Sequence, residues 1–277
     1  MKVVLFCGGR GLRLREHSEA IPKPMVPIGY RPILWHVMRY YAHFGHRDFI
    51  LCLGYRGDAI KDYFLHYDEA VSNDFVLSDG GRQIELLTSD IADWRITFAD
   101  TGLDTTIGER LRRVRHLLAG EDIFLANYGD TLTDAPLDQL IEDFRASDAV
   151  ASFLAVRPAD YPFRVVRTSA PDRVAALLRP DDADLWINGG YFVLRREIFE
   201  AIEPGDELVE APFARLIARR RLHAARYEGF WGPLDTLRDL ERLEALVDED
   251  RAPWASPSAT SLARDESTAM PATGGEA

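Results

Sequence analysis

Three short apolar runs, each followed at once by a glycine, constrain the fold of this chain more than any other feature. The runs comprise residues 2–7, 49–53 and 123–128. Continuous apolar runs of this length are typical of strands that are buried on both faces of a parallel sheet. Amphipathic segments of helical length lie between them, over about 31–44, 56–66 and 108–118. The alternation predicts an α/β fold with a mixed, mainly parallel sheet flanked by helices.

The pattern changes after about residue 150, where short strand-like runs separated by turns predict a mixed sheet. We therefore predict one α/β domain over residues 1–254. Its first part spans about 1–150, and a smaller mixed lobe with closing helices spans about 151–254. Residues 255–277 are rich in Ala, Ser, Thr, Pro and Gly without periodicity, and a disordered tail is predicted there.

The composition is that of an ordinary globular protein, with 47% hydrophobic and 28% charged residues. Since the chain contains no run of about 18 apolar residues, no membrane-spanning helix is expected. Acidic residues outnumber basic ones by 45 to 33, and the net charge of −12 argues against a nucleic-acid partner. Two cysteines are too few for a disulfide framework, and the first residues lack the apolar stretch of a secretory signal. We expect a cytoplasmic enzyme.

A glycine-rich loop follows the first apolar run and contains Gly8, Gly9, Gly11 and Arg13. Glycines allow a tight turn whose amides point at a bound anion, and the arginine adds a charged fork. The loop is not a Walker motif, because no Gly-Lys-Ser/Thr follows, and it lacks the third glycine of a dinucleotide fingerprint. It predicts an anion site, with a plain turn at a strand end as the alternative.

Lys23 stands between Pro22 and Pro24 in the next segment of the chain. Prolines restrict the backbone on both sides, so the lysine projects from a stiffened segment. Lysine is scarce here, since 30 of the 33 basic residues are arginine. A fixed ammonium suits a phosphate, and an exposed loop lysine is the alternative.

Taken in order, the motifs of the chain resemble those of the sugar-nucleotide pyrophosphorylases, and among them the glucose-1-phosphate cytidylyltransferases. The segments that carry this resemblance are residues 8–14, 22–25, 32–36, 100–102, 128–130, 187–190, 230–231, 234–239 and 252–254. The resemblance covers about residues 1–254. It implies a Rossmann-like nucleotidyltransferase fold of the GT-A type, in which the smaller lobe binds the sugar.

The resemblance also implies the reaction and its cofactor. An oxygen of a sugar 1-phosphate would attack the α-phosphorus of a nucleoside triphosphate, and pyrophosphate would leave. Asp130 and Asp235 would hold one Mg²⁺, an ion that combines few carboxylates with phosphate oxygens. From the residues alone, each aspartate could instead cap a helix or belong to a turn. The resemblance further implies assembly into homo-oligomers.

Individual roles follow from the same resemblance. The residues expected at the nucleotide are Gly8, Gly9, Gly11, Leu12, Arg13, Lys23, Arg110 and Gly129, and catalysis is assigned to Arg13, Lys23 and Asp130. Arg110 would read the cytosine, whereas the pattern alone also fits a basic residue on a solvated helix. Asn188, Gly189 and Arg179 would bind the sugar phosphate, and a simple turn is the alternative for Asn188.

The chain departs from the family pattern near both substrates. Leu12 replaces a threonine of the loop, while Ile107 and Glu109 replace threonine and glycine near the base. Leu178 stands at a glutamate position and cannot accept a hydrogen bond from a sugar hydroxyl. Arg164 replaces a glycine beside the sugar. We predict CTP and glucose 1-phosphate as substrates, with another nucleotide or sugar phosphate, or a non-catalytic sugar-nucleotide-binding regulator, as alternatives.

Overall fold

The computed structural model describes residues 1–9, 21–158 and 164–255. The predictions for Gly11, Leu12 and Arg13, and all of the predicted tail except Ala255, lie outside these residues. Ala255 itself ends a 3₁₀ turn, Pro253–Ala255.

The described residues form fifteen strands and seven α-helices. The strands are β1 (Lys2–Phe6), β2 (Pro27–Ile28), β3 (Arg31–Pro32), β4 (Asp48–Leu53), β5 (Phe75–Ser78), β6 (Gln83–Leu86), β7 (Arg95–Asp100), β8 (Ile123–Asn127), β9 (Thr131–Thr133), β10 (Ala151–Val156), β11 (Val165–Ala170), β12 (Arg173–Leu178), β13 (Ile187–Arg195), β14 (Leu222–Tyr227) and β15 (Trp231–Pro233). The helices are α1 (Ile33–His43), α2 (Gly57–Leu65), α3 (Glu69–Ser72), α4 (Ile107–Arg113), α5 (Leu137–Ala146), α6 (Ala211–Ala218) and α7 (Leu237–Asp248).

Seven strands form the central sheet in the order β14-β10-β13-β8-β1-β4-β7. The pairs β8–β1, β1–β4, β4–β7 and β10–β14 are parallel, and only β13 runs against its two neighbours. The predicted mixed, mainly parallel sheet flanked by helices is confirmed. Strands from both predicted parts of the domain lie in this sheet, and the division at about residue 150 stays a prediction.

Alternating side chains of the sheet supply two apolar cores. On β1, Val3 and Leu5 point into the core that contains α1, α5 and α7, whereas Val4 and Phe6 point into the core that contains α4 and α6. Burial on both faces explains why the predicted strands are continuous apolar runs. Within the described residues, no helix is long and apolar enough to cross a membrane.

The predicted helix over 108–118 divides into two pieces, because α4 ends at Arg113 and a 3₁₀ segment spans Arg115–Leu118. Two hairpins project from the central sheet, β5–β6 and β11–β12. Both have mostly exposed residues. The hairpin β11–β12 connects β10 to the start of β13, where predicted sugar-binding residues lie.

Candidate active site

Asp130 stands at the carboxyl end of β8, beside the end of β1. The amide of Gly129 donates to Oδ1 of Asn127 at 2.8 Å, which turns the chain sharply after the strand. Gly129 has φ of +76°, a conformation that an L side chain would strain. The turn therefore presents Asp130 at the edge of the sheet where open α/β folds bind ligands.

Asp235 reaches Asp130 through a short pair of strands. Thr131 in β9 pairs with Pro233 in β15, and the amide of Leu234 donates to the carbonyl of Asp130 at 3.0 Å. Asp235 follows directly. The helix-cap alternative for Asp235 is wrong, since Thr236 caps α7 and exchanges hydrogen bonds with Asp239. The two aspartates, distant in sequence, thus lie side by side.

Lys23 lies between the two carboxylates. Its Nζ is 2.7 Å from Oδ2 of Asp130 and 2.7 Å from Oδ1 of Asp235. The backbone forms a 3₁₀ turn at Lys23–Met25, anchored by the buried side chains of Pro24 and Met25. Burial alone would lower the pKa of Lys23, but the two carboxylates outweigh burial and raise it. Lys23 is therefore a fixed, charged ammonium, and the exposed-loop alternative is wrong.

The side chain of Arg110 connects the glycine-rich loop to the central sheet through hydrogen bonds. Only 2% of this residue is exposed. Its guanidinium donates hydrogen bonds of 2.7 to 3.2 Å to the carbonyls of Gly8, Leu53, Gly102 and Leu103 and to the hydroxyl of Thr101. A Cβ on Gly8 would lie 2.1 Å from Nη1, so glycine is required there.

The position of Arg110 corrects one alternative and leaves one prediction open. The solvated-helix alternative is wrong, because the side chain points into the protein. Its contact with a base stays a prediction. Glu109 next to it is buried and accepts hydrogen bonds from Arg112 and Arg113. The pKa of Glu109 is lowered to about 2, above all by the hydrogen bonds from Arg112. Burial opposes this shift, and Arg113 adds to it. The carboxylate therefore stays charged.

The predicted sugar-side residues lie at the start of β13. Oδ1 of Asn188 accepts from the amide of Gly190 at 2.9 Å, and its Nδ2 donates to the hydroxyl of Tyr128 at 3.3 Å. Asn188 thus belongs to a strand rather than to a simple turn. The indole of Trp231 donates to the carbonyl of Gly189 at 2.9 Å. This contact joins β15, which positions Asp235, to the sugar side.

Arg179 stands apart from these residues. It follows β12 and is 64% exposed, and its Nε lies 3.0 Å from Oδ2 of Asp182. Arg164 is placed opposite it, because Val165 pairs with Leu178 at the end of the hairpin. The structure does not bring Arg179 to the lining of the cavity that holds Lys23.

That cavity has a volume of about 610 Å³. It brings together six of the predicted site residues, namely Gly9, Lys23, Asp130, Asn188, Gly189 and Asp235. Other lining residues that were not assigned a role are Phe6, Pro24, Ile107, Tyr128, Thr131, Ile187, Trp231 and Pro233. Some of these lining residues lie in or next to the motifs that carry the family resemblance. Their closeness to those motifs is the signal in the sequence that could have identified them.

The fold and this cavity define an open α/β protein that holds an ammonium between two carboxylates at the edge of its central sheet. The family model described as Nucleotidyl transferase matches residues 2–231. The chain belongs to this family and, within it, to the sugar-nucleotide pyrophosphorylases, so the resemblance seen in the sequence is confirmed.

Two relatives and one solved structure give the extent of the similarity. The glucose-1-phosphate cytidylyltransferases of Salmonella typhi and Salmonella typhimurium are each 36% identical over 260 residues, which is 92% of this chain and 98% of theirs. A UDP-glucose pyrophosphorylase solved with UDP-glucose covers 90% of this chain and 99% of its own. Its TM-score of 0.66 at 16% identity shows a shared fold.

Proposed function

We propose that this enzyme joins CTP to glucose 1-phosphate, giving CDP-glucose and pyrophosphate. A phosphate oxygen of the sugar phosphate bonds to the α-phosphorus, and the bond from that phosphorus to the oxygen bridging the β-phosphorus breaks. The bridging oxygen leaves with pyrophosphate. The observation that carries this proposal is the Lys23 ammonium, held within 2.7 Å of two carboxylates in the cavity of a chain so similar to glucose-1-phosphate cytidylyltransferases.

The reaction calls for positioning and charge neutralisation more than for proton transfer, because the attacking phosphate is already ionised. In our proposal Lys23 contacts the α-phosphate and the incoming sugar phosphate. The amides of Gly8 and Gly9, together with Gly11, Leu12 and Arg13, cradle the triphosphate. Gly129 lets the backbone approach the nucleotide closely.

Asp130 and Asp235 fit a Mg²⁺ ion. The donor set suits this ion, since the pair already surrounds one cation, the Lys23 ammonium. In the part of the chain that the structure describes, no group of three or more His, Cys, Asp or Glu side chains could hold a metal. Phosphate oxygens and water would complete the ligand set, as is common for Mg²⁺. When bound, Mg²⁺ would neutralise charge on those oxygens.

In our proposal the two substrates contact different residues of the cavity lining. The nucleotide lies towards Gly9, Phe6 and Ile107, where Arg110 is predicted to read the base. The sugar lies towards Asn188 and Gly189, and Arg179 approaches its phosphate from the hairpin.

The test is a pyrophosphate-release assay with Mg²⁺, in which five nucleoside triphosphates are paired with a panel of sugar 1-phosphates. Release with CTP and glucose 1-phosphate, absent in Asp130→Asn, supports the proposal. Release with a different pair only would change the assigned substrates. The departures from the family pattern at Ile107, Arg164 and Leu178 are the reason to test other pairs. Nucleotide binding without any turnover would favour a sugar-nucleotide-binding regulator, which the changed residues Leu178 and Arg164 motivate.

We also propose that the chain forms homo-oligomers and acts in the cytoplasm. The hairpin β5–β6 exposes apolar side chains, among them Leu77 at 58% and Ile84 at 53%, and an isolated two-stranded hairpin is marginal in water. A second copy covering it would bury these residues. Light scattering after gel filtration tests this, and a monomer unaffected by Leu77→Lys would contradict it. The buried free thiols of Cys7 and Cys52 suit a reducing compartment.

A further inference from the structure

The ammonium of Lys23 occupies the space between the two carboxylates. Because both contacts are 2.7 Å, the two carboxylate oxygens lie at most twice that distance apart. A divalent cation bound by both aspartates would need this same space, with oxygen distances of roughly 2.1 Å for Mg²⁺. Two cations cannot occupy it together, and neighbouring positions would bring strong repulsion.

The surroundings keep the ammonium in that place when no substrate is bound. Its side chain is only 14% exposed, so little water competes for it. Asp130 is 20% exposed, and Asp235 is 42% exposed. Without a cation, two carboxylates this close would repel each other. Lys23 thus stabilises the site when no substrate is bound, in addition to the contacts with the substrates that we propose for it.

The side chain can nevertheless leave. Buried Pro24 and Met25 anchor the backbone of Lys23, but its four-carbon stem has rotatable bonds and its head lies at the cavity wall. A triphosphate entering the cavity carries more negative charge than the two carboxylates together. It can therefore draw the ammonium away from the aspartates.

We propose that Lys23 is a built-in counter-cation that excludes a free divalent cation from Asp130 and Asp235 until a nucleotide phosphate draws the ammonium away. This inference rests on the proposed nucleotidyl transfer and adds an order to it. The metal site becomes available with the nucleotide, not before it. The same lysine then contacts the phosphates, so one side chain serves the empty and the loaded site.

The experiment measures Mn²⁺ binding to the protein alone, without nucleotide, by the electron paramagnetic resonance signal of free Mn²⁺. Lys23→Met removes the charge and keeps an unbranched side chain. We expect it to bind Mn²⁺ at least about tenfold more tightly than the wild type, because the competing cation is gone. The matched control is Lys61→Met, on the exposed face of α2, which should bind like the wild type.

A double variant, Lys23→Met with Asp130→Asn, tells where the ion binds. The gain should vanish in it, because one of the two carboxylates is lost. Lys23→Met binding no more tightly than the wild type would overturn the proposal, and so would a gain that survives in the double variant.

A second measurement uses the wild type alone and decides the matter if Lys23→Met does not fold. About 1 mM Mn²⁺ without nucleotide should leave its melting temperature unchanged, because weak binding stabilises little. A rise of several degrees would overturn the inference. Pyrophosphate release by the wild type separates the two proposals. Turnover together with tight metal binding in the absence of nucleotide refutes only the exclusion, whereas absence of turnover with every substrate pair refutes the function itself.

Discussion

The two sides of the cavity differ in the interactions that fix their residues in place. The loop side, which contains Gly8, Lys23 and Asp130, stands on the carboxyl ends of buried parallel strands. The hairpin side, which contains Arg179 and the strands β11 and β12, is exposed, with 66% of Leu177 in contact with solvent. On the loop side each functional group is fixed by core packing or by several hydrogen bonds. On the hairpin side Arg179 pairs with Asp182, and both side chains are exposed.

This difference explains two of the departures from the family pattern, those at Arg164 and Leu178. Arg164 and Leu178 stand on the hairpin, where a substitution disturbs little of the core. Asp130 and Asp235 both contact Lys23, so a change in any one of the three disturbs the balance of charge among them. If the proposed function is correct, the reaction depends on the firmly held loop side, and sugar preference can vary on the hairpin side.

The largest effect is expected from Asp130→Asn on the loop side. Loss of one carboxylate removes a predicted metal ligand and one partner of Lys23, so kcat should fall by about 10³-fold or more. Steady-state pyrophosphate release measures it. Asp143→Asn, on the exposed face of α5, is the matched control and should retain full activity. A fall of less than tenfold in Asp130→Asn would remove this carboxylate from the chemistry.

The sequence predicted that Asp130 lies at the edge of the sheet because it follows a recognisable strand. Gly8, Gly129 and Asp130 come directly after apolar runs, and such positions meet at one sheet edge. The approach of Asp235 was implied only by resemblance, since β9 and β15 have three residues each and are too short for periodicity to show.

Long-range contacts set the limit of prediction from sequence. Arg110 has basic neighbours that are typical of a solvated helix, yet its five hydrogen bonds connect the ends of three strands with the loop. Only the assembled sheet brings those carbonyls together. Likewise, no local pattern indicates that Lys23 contacts both carboxylates, because that depends on the β9–β15 pairing.

The next effect is on stability, through Arg110→Lys. Lysine cannot reproduce the planar fork that donates to five acceptors, and buried carbonyls would lose their partners, so the free energy of unfolding should fall by about 3 kcal/mol. Urea denaturation measures the change. Arg47→Lys, which alters an exposed pair with Asp93, should cost less than about 0.5 kcal/mol. If Arg110→Lys kept its stability but no longer discriminated between CTP and UTP, Arg110 would serve to recognise the base and not to stabilise the fold.

Acid should weaken the sheet that carries the loop side. Burial above all, with help from the amino-terminal ammonium, lowers the pKa of His46 to about 4. The unfolded chain takes up this proton near pH 6.5, so stability is lost as the pH falls from about 6.5 to about 4. For this partly exposed ring we expect a loss of about 2 kcal/mol. Urea denaturation at both ends of this pH range should show that His46→Gln loses less stability on acidification than the wild type. An equal loss in the two proteins would contradict the assignment of this effect to His46.

A change at the junction of the two sides should affect only one substrate. Asn188→Ala removes the predicted sugar contact, so KM for the sugar phosphate should rise by about tenfold, the equivalent of one hydrogen bond. KM for CTP should stay within about twofold, because Asn188 is predicted to contact the sugar phosphate and not the nucleotide. Since Asn188 also accepts from the amide of Gly190, Asn188→Asp tests folding while keeping that acceptor. Equal increases in both KM values would contradict the separation.

The smallest effect is expected on the hairpin side, from Arg179→Ala. A contact between Arg179 and the sugar phosphate must replace the contact with Asp182, and both are open to solvent, so the net gain from binding is small. KM for the sugar phosphate should rise by less than about threefold, with kcat unchanged. Asp182→Asn weakens the contact with Arg179 and should lower that KM slightly. An increase above tenfold in Arg179→Ala would mean that the hairpin closes over the substrate, and the contrast between a fixed loop side and a loosely held hairpin side would then apply only to the empty enzyme.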